Sequence, residues 1–281
     1  MCSIRKSWAC YEEWENVVVV DREYSFRLVA GAFFFLRQGE MRPLSEITAM
    51  APTLEGGPMD WQYKTEPQSG FCEAMKDSRF IWPRSRVLGG TSTINGMLYV
   101  RGNRRDYDNW ALAGSIGWSY DEVLPYFKKS EDMQVERYLN SSFHKTEGYL
   151  TVEEFRYRPK IVNTSRKIGY QNNDINGEKP TEFGLAYGTL RDGLRCSIAK
   201  AFLRPARNRL NFDISLHSFV EKILIDSNTK VTQGVVFKKN MHRHTVGVRK
   251  EVNVSAGAFN SPHLLVLSGI GSYWQILEAG I

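Results

Sequence analysis

The chain has 281 residues, 42% hydrophobic and 24% charged, with 37 lysines and arginines against 31 aspartates and glutamates for a net charge of +6. That balance excludes wholesale disorder and leaves enough chain to bury one large core or two modest ones. The surplus positive charge is spread along the sequence, which fits weak attraction to anionic ligands and argues against a dedicated nucleic-acid surface.

Four scattered cysteines (Cys2, Cys10, Cys72, Cys196) form no Cys-x-x-Cys pair and no disulfide framework. No repeat or low-complexity tract is present, which excludes solenoids and propellers. Residues 1–58 read unevenly and are set apart from 59–281 by a change of texture near residue 58. Val17 to Val20 is a short β-branched run. Leu28 to Leu36 (LVAGAFFFL) is the most apolar stretch, but a bilayer span needs about twenty residues. It has the length of a signal-peptide core, yet Glu12, Glu13, Glu15, Asp21 and Glu23 precede it where a short basic segment belongs. A buried helix or strand is the preferred reading. Asn140-Ser-Ser, Asn163-Thr-Ser and Asn253-Val-Ser match the glycosylation acceptor pattern and lean slightly towards a secreted protein, leaving the compartment open.

Residues 118–129 (WSYDEVLPYFKK) are expected to form a short helix capped near Ser119 and interrupted by Pro125. Residues 196–206 are expected to form another, stopped by Pro205. Over 212–256, apolar residues alternate with polar ones between turn pairs Ser227-Asn228 and Lys239-Asn240, the pattern of an antiparallel β-meander. The strand Glu251 to Ser255 runs into Ala256-Gly257-Ala258. Asn260-Ser261-Pro262 then reads as a helix start, with Ser as cap and Pro in the first turn, and Gly269 reads as its end. Strand, small-residue turn and helix in that order point to an α/β nucleotide-type fold.

Two segments are candidates for chemistry. In 82–97 (WPRSRVLGGTSTINGM), Gly89-Gly90 permits backbone angles and close approaches that a β-carbon blocks. Thr91, Ser92, Thr93 and Asn95 crowd polar groups into the same turn, where exposed N–H groups can cradle an anion or an electron-rich ring edge. A polar surface turn explains the composition equally well. A Walker-type phosphate loop fails, because no Lys-Ser/Thr pair follows Gly96. In 255–271 (SAGAFNSPHLLVLSGIG), the strand ending in Ala-Gly-Ala brings the main chain close to the sheet's carboxyl edge, where open α/β sheets bind ligands. Tight helix–strand packing is the alternative.

Together the segments resemble the two signature motifs of the glucose–methanol–choline (GMC) family of FAD-dependent oxidoreductases, RVLGGTSTINGMLYVRGNRR at 86–105 and GAFNSPHLLVLSGIG at 257–271. Flanking stretches 60–67 (DWQYKTEP), 118–127, 193–197 (GLRCS) and 201–205 support the likeness, which is greatest to insect glucose-dehydrogenase-type members and covers about residues 59–281. The resemblance implies an α/β, partly α+β, FAD-binding Rossmann-like domain carrying the meander. It implies non-covalent FAD, because no His stands between Trp82 and Asp108 to attach the flavin. The implied cofactor contacts are Val87, Gly89, Gly90, Asn95, Gly96, Met97, Leu98, Val220, Ala256 and Gly257, with the adenine near Val220 and the ADP half near Ala256 and Gly257. A small alcohol or sugar would be the substrate, with hydride passing to the flavin.

The sequence departs from the family pattern in two places. It has no Gly-x-Gly-x-x-Gly: Gly269-Ile-Gly271 has Trp274 where the third Gly belongs, and Leu54-Glu-Gly-Gly57 lies too close to Asp60-Trp61 to be the ribose-binding turn. The family's C-terminal general base has no counterpart here, so no catalytic residue is assigned. The expectation is therefore an incomplete domain, lacking the first βαβ unit and the C-terminal substrate domain, that binds FAD weakly or not at all and is inactive in isolation. The alternative function is a non-catalytic remnant or interaction protein that has lost flavin. His242-Arg-His244 is expected on a solvated hairpin rather than at a metal, and His217 and His263 in packing or surface roles. Nucleic-acid binding through 101–105 or 204–209 is disfavoured, because those charges are interleaved with apolar positions.

Overall fold

The computed structural model describes residues 43–156, 164, 167, 169–170, 173–180, 183–278 and 280–281, together with the backbone of two strands at 17–20 and 33–37. Cys2, Cys10, Asn163 and most of the 28–36 apolar run lie outside the described residues. In chain order the strands are β1 (Val17–Val20), β2 (Phe33–Arg37), β3 (Tyr63–Lys64), β4 (Ile81–Trp82), β5 (Glu131–Met133), β6 (Leu150–Glu154) and β7 (Tyr187–Gly188). They continue with β8 (Leu190–Arg191), β9 (Leu194–Arg195), β10 (Phe212–Leu216), β11 (Ser218–Ile225), β12 (Thr232–Lys239), β13 (His242–Gly247) and β14 (Glu251–Val254). The longer helices are α1 (Arg104–Leu112), α2 (Tyr120–Ser130) and α3 (Gly257–Leu267), and a short α4 spans Tyr273–Glu278.

The described residues fall into two compact units, each discontinuous in sequence: 43–52 with 92–203, and 17–20, 33–37, 53–91 with 204–281. The second unit contains an all-parallel sheet of order β10-β2-β1-β14 and a separate antiparallel sheet β11-β12-β13. The meander is thus shorter than the alternation predicts. Its expected first strand, β10, leaves it for the parallel sheet, where β14, the strand expected to lead into the helix, also lies. The break after β10 falls at His217, whose φ of 59° turns the chain between Leu216 and Ser218. Val220, Ile223, Val235, Phe237 and Leu264 form the buried core of this unit, with Leu88, Val252, Val254 and Leu265 packed against it.

The α/β class and the partial domain stand, and the N-terminal part adds two described strands. Both flanking strands of a first parallel unit are present, because β1 pairs with β2 in parallel register through Val18–Phe34 and Val19–Phe35. A β-branched or aromatic run is enough to build such strands.

The first unit is less regular. Strand β6 pairs with β5 in parallel and with β7 antiparallel, and β8-β9 is a tight hairpin turning at Asp192 and Gly193, both at positive φ. Its apolar core gathers Tyr99, Met133, Val152, Tyr187, Cys196, Ala201 and Phe202. Helix α2 starts at Ser119 as expected, with the Ser119 N–H donating to Glu122 Oε2 at 3.1 Å, but Pro125 lies inside it without ending it. Likewise Pro205 sits inside the turn Arg204–Ala206, which follows a π-helical stretch at Ala199–Leu203, instead of stopping the helix.

Candidate functional site

In the second unit the parallel sheet itself indicates where a ligand belongs. The chain runs from β1 to β2 and β10 on one side, and returns to place β14 on the other side of β1. Strand order therefore reverses between β1 and β14, and open parallel sheets bind ligands beyond the carboxyl ends of the strands at such a point. Val20 and Val254 are paired at that end. Ala256, 8% exposed, and Gly257 follow directly on β14 and lead into α3, whose first turn offers backbone N–H groups to an electron-rich partner.

Helix α3 begins at Gly257, earlier than the Asn-Ser-Pro signal indicated. Asn260 is not part of a cap. It is buried, and its Oδ1 accepts a hydrogen bond from the Tyr63 hydroxyl at 2.9 Å. Pro262 lies within the helix.

Gly257 has φ +81°, and a β-carbon there would meet nothing within 4 Å. Glycine is required by the backbone and not by crowding, so the space beside it is open. Gly89 (φ 98°) and Gly90 (φ 61°) likewise sit in the left-handed region. Val87 is buried, and its carbonyl accepts from the Gly90 N–H at 2.9 Å, closing the turn. Leu88, between these residues, packs on the same core as Val220, Leu264 and Leu265. Leu88 of one motif, Leu264 and Leu265 of the other, and Val220 thus share one apolar core. This juxtaposition underlies the candidate site.

The remaining candidates, Asn95, Gly96, Met97 and Leu98, belong to the first unit. Asn95 Oδ1 accepts from the Met97 N–H at 3.1 Å and from Arg195 Nη1 at 2.8 Å. Met97 is buried at φ 62°, and Leu98 is 62% exposed. Gly96 is exposed, its φ is not left-handed, and a β-carbon there would meet nothing within 4 Å. The segment is registered on the hairpin beside it: Thr189 N–H donates to Met97 O at 2.8 Å and Tyr99 N–H to Tyr187 O at 2.9 Å.

Sequence reasoning overlooked two groups of residues in this unit. One is Arg195, used above only as part of a flanking stretch. It is 1% exposed, and burial pushes its guanidinium pKa down to about 10. Its signal is a charged residue between Leu194 and Cys196 just after the Asp192-Gly193 turn. The other is His144, the one histidine not weighed above, which is buried among charges. Glu131 bonds Arg101 Nη2 at 2.7 Å and His144 Nδ1 at 3.0 Å, while His144 Nε2 meets Asp174 Oδ2 at 2.7 Å. Tyr187 OH and Asn176 N–H both donate to Asp174 Oδ1, at 3.1 and 2.9 Å. Burial alone would lower the His144 pKa, but its bonds to Asp174 and Glu131 raise it above the usual histidine value. Burial would raise that of Asp174, but His144 and the Asn176 N–H hold it below the usual carboxylate range. No sequence pattern announces a cluster assembled from residues 101, 131, 144 and 174.

The other histidines do not converge. His242 and His244 lie on the exposed strand β13, where His244 stacks on Phe237 with ring centroids 5.2 Å apart. Leu54-Glu-Gly-Gly57 ends a short helical turn, and the Gly56 N–H donates to Asp60 Oδ2 at 2.8 Å. Among the described residues no helix is long and apolar enough to cross a membrane.

Comparison with known proteins supplies the family. Residues 66–276 match the family model for GMC oxidoreductase. Over 242 residues, 84% of this chain and 39% of the relative, the chain is 44% identical to glucose dehydrogenase [FAD, quinone] of Drosophila melanogaster. It is 36% identical over 227 residues, 79% of this chain and 40% of the relative, to the oxygen-dependent choline dehydrogenase of Brucella anthropi. The crystal structure of pyridoxine 4-oxidase from Mesorbium loti superposes with a TM-score of 0.80 at 26% identity, covering 95% of this chain and 54% of that one. The chain thus spans about 40% of the length of these curated relatives. Two glycine-bearing motifs meeting on one α/β core, and a family match across most of the sequence, lead to the same conclusion: the chain belongs to the GMC oxidoreductase family, whose members use FAD.

Proposed function

We propose that this chain is the flavin-binding portion of an FAD-dependent oxidoreductase acting on the CH–OH group of a small alcohol or sugar. The observation that carries this reading is the placement of Ala256-Gly257 beyond β14 at the reversal of strand order, with Leu88 of the first motif packed on the same core as Val220 and Val254. Within the second unit, the open space beside Gly257 fits an acceptor-rich ligand at the first turn of α3. Bound FAD supplies the hydride acceptor for alcohol oxidation.

The chain's own residues do the holding. The first-turn N–H groups of α3 favour electron-rich oxygens. Gly89 and Gly90 let the main chain approach without a β-carbon in the way. Val220, fully buried, supplies backbone and an apolar wall. The turn at 95–98 presents Asn95, Gly96, Met97 and Leu98 as the contacts of the first unit. Val87, Ala256 and Gly257 complete the proposed set.

Titration of the purified chain with FAD, followed by flavin fluorescence and by the rise in melting temperature, tests the reading. The expected result is saturable binding that raises the melting temperature with ligand concentration. Folded, colourless protein that ignores added FAD overturns it and favours the second reading, a remnant that keeps the fold without the cofactor. The missing Gly-x-Gly-x-x-Gly is the observation behind that second reading.

A further inference from the structure

We propose that Arg195 is a positioning residue for the flavin, presetting the turn at 92–98 and reserving one guanidinium donor for the bound cofactor. This inference rests on the flavin reading above and adds a residue to it.

Arg195 uses its donors unequally. Nε donates to Ser45 O at 2.8 Å, and Nη1 donates to both Ser92 O at 3.0 Å and Asn95 Oδ1 at 2.8 Å. Nη2 is buried with no hydrogen-bond partner. Among the described residues no carboxylate pairs with this side chain. A buried guanidinium N–H left unbonded forfeits its hydration with nothing in return, so natural structures rarely keep one without a use.

Two of the three bonds fall on the segment that carries Asn95–Leu98. Besides the two from Nη1, Ser92 Oγ accepts from the Ile198 N–H at 3.0 Å, and Thr189 N–H and Leu98 tie the far end to the hairpin. The segment is therefore fixed from both ends. A β-carbon at Gly96 would meet nothing within 4 Å. A braced turn with an open glycine, whose neighbour Asn95 is held by a guanidinium with one donor lacking a protein acceptor, suits recognition of an electron-rich ring edge or phosphate oxygen. Burial weakens the guanidinium's hold on its proton, yet at about 10 it stays charged at neutral pH.

The test is FAD titration of the full chain and of the variants Arg195→Lys and Arg195→Met, read as affinity and as the rise in melting temperature on adding FAD. Far-UV circular dichroism reports folding. The methionine variant should lose roughly tenfold or more in affinity and most of the ligand-induced rise. The lysine variant keeps the charge without the planar fork and should lose roughly threefold. An arginine that merely braces the fold would lower the melting temperature of the free protein and leave the rise on adding FAD intact, which would overturn the inference. Should Arg195→Met fail to fold, Arg195→Lys decides alone, an unchanged FAD response counting against. A wild-type chain that does not bind FAD removes the flavin reading and this inference with it. Binding that is equal in all three proteins removes only the inference.

Discussion

The two units bury very different material at their centres. One buries, beside its apolar core, the charged side chains Arg101, Glu131, His144 and Asp174, which neutralise one another at hydrogen-bond distance. The other is organised around Val220, Ile223, Val235, Phe237 and Leu264, none of them titratable. Within the first unit the contrast sharpens again. Arg101 and Arg195 are 5% and 1% exposed, yet Arg101 has a carboxylate partner and Arg195 has backbone and amide oxygens with one nitrogen left over. A buried charge that is fully paired explains itself as structure. One that is incompletely paired calls for a ligand.

The largest effect should come from breaking the paired cluster. Glu131→Ala leaves Arg101 and His144 buried without their shared carboxylate, a class of change that costs about 3–5 kcal/mol. Hydrogen exchange should show the loss in the first unit, with residues 150–154 and 187–188 exchanging early. If Glu131→Ala unfolds at the wild-type urea midpoint, the cluster does not hold that unit. The counterpart in the second unit is Leu264→Ala. Leu264 is fully buried, and the truncation should cost about 2–5 kcal/mol, read in exchange of β11 and β12. A loss in either variant spread equally over both units would contradict the division.

The second way to separate the units is pH. His144 has a raised pKa, so its contribution is fully present below the unfolded value of about 6.5 and disappears as pH rises through the raised value. Asp174 has a lowered pKa, so its contribution is present above about 3.9 and disappears as pH falls through the lowered value. The groups facing His144 are Glu131, Asp174, Arg101, Tyr138 and Tyr187. Exchange protection of the first unit should therefore be greatest in mildly acidic solution and weaken on either side. Protection around Leu264 should lack this His144–Asp174 profile. His144→Gln should flatten the alkaline limb, and an unchanged limb would show that another group titrates there.

These two centres also mark how far the sequence could be read. Local periodicity and small-residue turns made the meander, the strand at 251–254, helix α2 and the two motifs legible, because each depends on neighbours a few residues away. The fate of β10 was not, since alternation looks the same whichever sheet a strand joins. Pro125 was expected to interrupt its helix and Pro205 to stop one, yet both lie within helical stretches, and Pro262 lies further into α3 than the expected first turn. Local rules of this kind yield to tertiary packing. His144 and Arg195 were invisible for a simpler reason. Their meaning lies in partners such as Glu131, Asp174, Ser45 and Ser92, and only the folded chain brings those together.

The smallest effects on stability come from two glycines that share open surroundings and differ in backbone. A β-carbon at Gly257 or at Gly96 would meet nothing within 4 Å, so neither substitution to alanine creates a clash. Gly257 sits at φ +81°, where an L-residue costs about 1–2 kcal/mol, so Gly257→Ala should lower the melting temperature slightly. Gly96 carries no such strain, and alanine restricts the unfolded chain, so Gly96→Ala should leave stability unchanged or raise it by up to about 1 kcal/mol. FAD then separates structure from function. If the space beside Gly96 is kept for the cofactor, Gly96→Ala weakens FAD binding while the free protein is as stable as before, a combination that packing alone does not produce. Undiminished FAD binding by a stable Gly96→Ala chain would move the cofactor away from this turn.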